Sequence, residues 1–274
     1  MELCDLHEQD ALRGWQLTQA VGWGHSQEDW ARLLRQGIGY GMCDGDTLAA
    51  SGIAIPYGQA RAWINMVITH PEYQRRGLSS AIMRELIAEL ERRGVREIWL
   101  DASAAGKPVY DRLGFREMGK VELWSGSGQA FAVEVSPIDA QNLAQVIAYD
   151  AAVFGVARPQ VITDWVRDNP DKVFVDGTQG IVLARQGSAD WGAVCFWEHD
   201  TPAGAEKLLQ AALNTLVGCT VNVFVPDYNL AAKTILEKYG FGYLRHCTRM
   251  LYGDVIPVAG DPARYYGAGT FALG

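Results

Sequence analysis

The sequence predicts an α+β protein built from two similar modules, and three observations carry that expectation. The first is an internal repeat. The dipeptides Gly114-Phe115 and Gly240-Phe241 lie at an offset of 126, and at the same ungapped offset Asp101 meets Asp227, Ala105 meets Ala231, Lys107 meets Lys233, and Val109, Asp111 and Arg112 meet Ile235, Glu237 and Lys238. The second is a β-rich run before each copy (Glu97 to Leu100; Thr220 to Val225) and after it (Val121 to Trp124; Arg249 to Tyr252), so strand, turn, short helix and Gly-Phe recur in one order. The third is composition: 274 residues with 49% hydrophobic and 20% charged side chains supply material for two cores.

Taken along the chain, Val21 to Trp30 separates two helical stretches, and Ser26 with Asp29 has the spacing of a helix-capping box. Trp63 to Thr69 is β-branched and apolar, the pattern of a buried strand. After Gly77 the apolar residues Leu78, Ile82, Met83, Leu86, Ile87 and Leu90 recur every three or four positions, and Gly94 follows as a helix stop. Ser125 to Gly128 reads as a turn, with a strand from Gln129 to Val135 after it. Ser136-Pro137 is the boundary, dividing the chain into residues 1–136 and 137–274; Asp139 and Asn142 then open a helix through Leu143, Val146, Ile147 and Val153. The aromatic tail Arg264 to Phe271 reads as a final strand, and His199 as a core residue.

Charge and spacing exclude several functions. Lys+Arg 24 against Asp+Glu 32 gives a net −8, which provides no footprint for a nucleic acid backbone. Five cysteines without a C-x-x-C pair suggest neither a zinc ribbon nor a disulfide framework, and five scattered histidines support no metal site. The acidic N-terminus and the lack of a long apolar run argue against a leader or a membrane span. A cytoplasmic protein, monomeric or homodimeric, is expected.

The chemistry concentrates where the Trp63–Thr69 strand meets the helix. A glycine loop there, Gln74-Arg-Arg-Gly77, ends on a helix start whose N–H groups lack intrahelical partners, and the helix dipole adds positive potential. Arg75 and Arg76 add charge, and Ser79 and Ser80 can add hydroxyl donors. This is the pattern of a phosphate or pyrophosphate site, although it is neither G-x-x-x-x-G-K-[ST] nor G-x-G-x-x-G. The plainer alternative is a solvated arginine pair in a capping loop.

Gln74-Arg-Arg-Gly77-Leu-Ser79 resembles the acyl-CoA-binding motif [Q/R]-x-x-G-x-[G/A] of the GCN5-related N-acetyltransferases, with Ser79 departing from the small final residue. Downstream, Trp99 to Phe115 resembles the family's later motif, a strand followed by a tyrosine-bearing helix and an L-G-F turn. The resemblance implies two GNAT-like modules, each a mixed, mostly antiparallel twisted sheet flanked by helices. It implies acetyl-CoA as co-substrate and no metal. By position it implies pantetheine contacts at Met66, Val67 and Ile68, and pyrophosphate contacts at Gln74, Arg75, Arg76, Gly77, Leu78, Ser79 and Ser80. Ser103, Gly106 and Tyr110 follow as further cofactor contacts, with Tyr110 as proton donor to the departing thiolate. The acceptor pocket falls on Trp23, His25, Asp29, Trp30 and Asn65.

An alkyl amine must lose a proton before it attacks, at a cost of about 4.6 kcal/mol at pH 7. Asp101 is the leading candidate for base or amine ligand, with Glu72 and His70 as alternatives. The expected reaction is acetyl transfer from acetyl-CoA to a primary amine, a small cationic molecule given the acidic chain, by direct attack. The alternatives are a non-catalytic acyl-CoA sensor and an acetyltransferase of protein lysines or N-termini. The second module loses the features of the first: Tyr110 becomes Leu236, and no glycine motif stands between Gly180 and Leu216. The resemblance makes it a degenerate partner that closes the acceptor side, with His199 and the aromatic tail as candidate lining.

Overall fold

The computed structural model describes residues 1–187, 190–255 and 260–274. They form two compact units. The first comprises Met1–Glu117 and a short segment that begins at Met250; the second comprises Met118–Arg249 and most of the tail. Packing divides the chain after Glu117 and again after Arg249.

In the first unit β1 (Glu2–Leu6), α1 (Ala11–Ala20), α2 (Gln27–Gln36), β2 (Ile38–Asp44), β3 (Thr47–Tyr57), β4 (Arg61–Thr69), α3 (Leu78–Arg92), β5 (Glu97–Ala102) and α4 (Lys107–Arg112) follow in order. The strands lie in the order β1-β2-β3-β4-β5, antiparallel until β5, which runs parallel to β4. The six periodic residues of α3, Leu78 to Leu90, are all buried, in one cluster with Ala50, Ala54, Ala62, Ile64 and Ile98 of the sheet. Small strand residues let the helix approach: a Cβ on Gly52 would stand 2.7 Å from Ile82. Truncating any of these large α3 residues to alanine would cost about 2–5 kcal/mol.

Cys4 and Cys43 form a disulfide, which corrects the expectation that the cysteines make none. Antiparallel pairing sets Cys4 opposite Gly41 and Glu2 opposite Cys43, so the two thiols are diagonal neighbours 39 residues apart in sequence. Nothing in the spacing of five cysteines signals a strand register.

In the second unit β6 (Arg116–Ser127), β7 (Ser136–Pro137), α5 (Leu143–Phe154), α6 (Pro159–Asp168), β8 (Val173–Val175), β9 (Gly180–Gln186), β10 (Trp191–His199), α7 (Pro202–Asn214), β11 (Thr220–Pro226), α8 (Leu230–Lys238), β12 (Gly242–Gly253) and β13 (Tyr265–Gly267) follow, except that the start of β6 to Glu117 and the end of β12 from Met250 belong to the first unit. Its strands run β6-β11-β10-β9-β8-β7, with β13 also on β10. The repeat offset of 126 is kept to the residue by β6 and β12. Two expectations fail here. Ser125 to Ser127 are not a turn but the end of β6, paired with Asn222 to Thr220 of β11. Their glycines serve close packing: a Cβ on Gly126 would meet the Phe241 ring at 2.6 Å, and one on Gly128 the Leu216 carbonyl oxygen at 1.8 Å. The expected strand from Gln129 to Val135 carries no strand pairing; instead Asn214 Nδ2 donates to the Phe131 carbonyl at 2.9 Å and Gln129 Nε2 to that of Tyr239 at 2.7 Å.

Candidate active site

β4 and β5 are clamped at one end and separate at the other. Parallel pairing joins Arg61, Ala62 and Trp63 to Glu97, Ile98 and Trp99, and among the described residues it goes no further. The clamp is strong. Arg61 forms a buried ion pair with Glu97 at 3.0 Å, Trp99 Nε1 donates to the same carboxylate at 3.0 Å, and the Trp63 and Trp99 rings stack with centroids 6.0 Å apart. Beyond it β4 bulges: between the pairs Ile53–Asn65 and Ser51–Ile68, Gly52 alone faces Met66 and Val67. Met66 takes a left-handed backbone at φ +49°, a strained conformation for a side chain of this size. The bulge takes Met66 and Val67 off the regular ladder with β3, which resumes at Ile68.

At the far end of β4 lies the glycine loop. Arg75 and Gly77 are left-handed at φ +62° and +76°, a backbone that gathers N–H groups into an anion-binding concavity. Gly77 is the N-cap of α3, no side chain caps it, and no atom lies within 4 Å of where its Cβ would be. Gln74, Arg75, Arg76 and Gly77 are exposed, whereas the Leu78 side chain belongs to the core and can offer only its N–H. The Arg76 guanidinium donates to the Glu72 carbonyl at 3.1 Å and lies 5.0 Å over the Tyr73 ring. Ser79 does not stand free over the loop: its Oγ shares a 2.6 Å hydrogen bond with Thr69 Oγ1, tying the helix start to the end of β4. Its departure from the family motif therefore serves packing as well as the loop.

Ser103, Gly106 and Tyr110 come together at the start of α4. Gly106 N–H donates to Ser103 Oγ at 3.1 Å, and a Cβ on Gly106 would stand 3.6 Å from the Tyr110 hydroxyl. The Tyr110 ring packs edge-on against Phe115 at 5.9 Å and is 8% exposed. Asp101 is half-buried on β5. His70 caps the turn after β4, its Nδ1 accepting the Glu72 N–H at 3.4 Å, and Glu72 is exposed.

The expected acceptor residues divide. Trp23 is 40% exposed and its ring lies 5.9 Å from that of His25. Asp29 completes the capping box with Ser26 and pairs with Arg32 at 3.2 Å. Trp30 is fully buried on Gly14, where a Cβ would be 2.3 Å from its ring. Trp30 thus holds α2 to α1 and forms no wall of a pocket. Asn65 is buried on β4 immediately before the bulge. The feature that sequence reasoning missed is Ser51, a buried hydroxyl inside the apolar run Leu48 to Ile55; that one polar residue was the available signal.

The second unit repeats the geometry with a different outcome. β10 pairs in parallel with β11 from Trp191 to Val194, then bulges at Phe196, φ +43°, with Val182 alone facing Phe196 and Trp197. Here the gap is filled by the tail. β13 pairs with β10, the Phe196 N–H donates to the Ala268 carbonyl at 3.3 Å, and the Ala268 N–H donates to the Phe224 carbonyl on β11 at 2.7 Å. Beneath this strap, Arg158 holds Asp150 with contacts of 2.8–3.2 Å and lies 3.6 Å over the Phe154 ring. Burial and the nearby Asp150 charge raise the Glu198 carboxyl well above its ordinary range. His199 is a core residue, as its flanking sequence suggested.

Among the described residues no group of His, Cys, Asp and Glu is placed to hold a metal, and no helix is long and apolar enough to cross a membrane. Comparison with known proteins accords with this geometry. Residues 4–115 match the acetyltransferase (GNAT) family and residues 146–266 an acetyltransferase (GNAT) domain. The chain is 28% identical over 190 residues to YitH of Bacillus subtilis, an N-acetyltransferase named as uncharacterized, and the match spans 66% of each protein. Over 54 residues it is 44% identical to the ribosomal protein bS18-alanine N-acetyltransferase of Escherichia coli, 19% of this chain and 36% of that enzyme. In fold it resembles a structure from Pyrococcus horikoshii, described as a candidate acetyltransferase, at TM-score 0.86 and 21% identity over 100% of this chain and 95% of that one. It also resembles a tandem GNAT protein of the clavulanic acid pathway at TM-score 0.66 and 12% identity, over 95% and 99%. A family match in each half, with a parallel strand pair that ends early in each unit, makes this chain a two-module member of the GNAT acetyltransferase family.

Proposed function

We propose that the first module transfers an acetyl group from acetyl-CoA to a primary amine, and that the second no longer binds the co-substrate. The observation that carries this reading is the gap between β4 and β5, clamped at one end and leading at the other to an uncapped, arginine-flanked helix start. The second unit supplies an internal precedent: its equivalent gap accepts an extended, amide-bearing segment through a bulge N–H and a β11 carbonyl. The pantetheine arm of acetyl-CoA is likewise an extended chain of amides, and its pyrophosphate suits the loop of Gln74 to Ser80.

In this reading the amine nitrogen attacks the thioester carbonyl, the new C–N bond forms as the C–S bond breaks, and Tyr110 protonates the departing thiolate. Asp101 is the proposed base or amine ligand, and Trp23, His25 and Asn65 remain the acceptor-side candidates. A small cationic amine is the proposed acceptor, in keeping with the net charge of −8. A second reading, acetylation of a protein N-terminus, is favoured by the 54-residue match to the bS18-alanine enzyme. The cytoplasm is the proposed compartment.

The test is thiol release from acetyl-CoA in the presence of amino acids, polyamines, aminoglycosides, a lysine peptide and a peptide with a free N-terminal alanine, with calorimetric binding alongside. Release dependent on a small amine supports the first reading, and release dependent on the alanine peptide the second. Tight binding without turnover on any amine would convert the protein into an acyl-CoA sensor.

A further inference from the structure

Ser51 sits opposite the bulge of β4, is fully buried, and donates its hydroxyl to the Met66 carbonyl at 2.7 Å. That contact fixes a peptide plane. In a trans peptide the carbonyl and the following N–H point in opposite directions, so holding the Met66 carbonyl toward β3 turns the Val67 N–H away from β3, to the side of the gap with β5. A hydrogen bond accepted by a carbonyl also polarises the N–H of the same peptide and makes it a better donor. The second unit lacks this device. Ser51 pairs with Ile68 directly after the bulge; in the corresponding place Ile181 pairs with Glu198, and the strap fills that gap.

We propose that Ser51 is a positioning residue for acyl transfer: by holding the Met66 carbonyl it aims the Val67 N–H at the carbonyl oxygen of the bound acyl thioester. The inference rests on the acyl-CoA reading of the β4–β5 gap.

The experiment compares acetyl-CoA with CoA on the full chain, by calorimetry and by the 13C resonance of [1-13C]acetyl-CoA. Ser51→Ala is expected to weaken acetyl-CoA binding roughly three- to tenfold, the range of one hydrogen bond, while CoA binding is unchanged. The bound carbonyl resonance is expected to move back toward its free position. If Ser51→Ala does not fold, Ser51→Thr and Ser51→Val, alike in shape, isolate the hydroxyl: Thr is expected to keep the preference for acetyl-CoA and Val to lose it. Equal weakening of both ligands, or an unchanged resonance and preference, would overturn the role of Ser51. Wild-type protein that binds neither ligand would overturn the acyl-CoA reading itself.

Discussion

β4 and β10 are the same strand used twice. Each pairs in parallel with its neighbour for three or four residues, each then bulges at a large residue with positive φ, and each opens a gap beyond the bulge. What differs is the lining. Beside β4 the bulge carbonyl is held by a buried serine and the strand leads to an uncapped glycine loop. Beside β10 the gap holds Tyr265 to Ala268, and the helix that follows is capped conventionally, Thr201 accepting the Gly204 N–H. Splayed strands make a place for an extended amide chain; the residues around that place decide whether its occupant comes from solution or from the protein.

The sharpest way to break this contrast is at Gly77. Gly77→Asp places a carboxylate in the open space before α3 and a side chain on a left-handed backbone. Acetyl-CoA binding measured by calorimetry is expected to fall by at least about 100-fold, because the charge opposes the helix dipole interaction that attracts an anion. Tyr110→Phe is expected to lower kcat by about 100-fold with little change in the KM for acetyl-CoA, as befits a lost proton donor. Full steady-state activity in that variant would remove Tyr110 from the chemistry and leave it as packing for Phe115.

On the other side of the comparison, Ala268→Pro deletes the buried N–H that reaches the Phe224 carbonyl on β11. A loss of about 3 kcal/mol in urea unfolding is expected, with acetyl-CoA stoichiometry unchanged. The smallest effect concerns Glu198. Its folded carboxyl binds its proton more tightly than the unfolded chain does, so the folded state carries the extra proton and loses stability as pH rises above the ordinary carboxylate range. Glu198→Gln should flatten that slope, so its melting temperature relative to wild type should improve from pH 5 to pH 9. A parallel pair of curves would show that Glu198 ionises freely.

Much of this was legible in the sequence because it depends on local chemistry. The six α3 core positions follow from helical spacing, the glycine loop from its arginines and its place between strand and helix, and the repeat from the Gly-Phe turns, whose phenylalanines are buried. Features set by register were not legible. The Cys4–Cys43 bond depends on which residues of β1 and β2 lie opposite one another, and the bulge at Met66 has no residue signature, since methionine has no preference for a left-handed backbone. Gly126 and Gly128 read as a turn because close approach to a distant ring or carbonyl also selects glycine. For the same reason Asp29 and Trp30 could be placed in a pocket until a cap and a packed helix pair accounted for both. The tail strap joins residues some 70 positions apart, so its aromatic composition announced a strand but not its partner.

The central claim is that one of the two gaps serves a ligand and the other serves the fold. Calorimetric titration of the full chain with acetyl-CoA tests it most directly. The expected result is one site per chain, lost in Gly77→Asp. Two sites per chain, or a site that survives Gly77→Asp, would contradict the account.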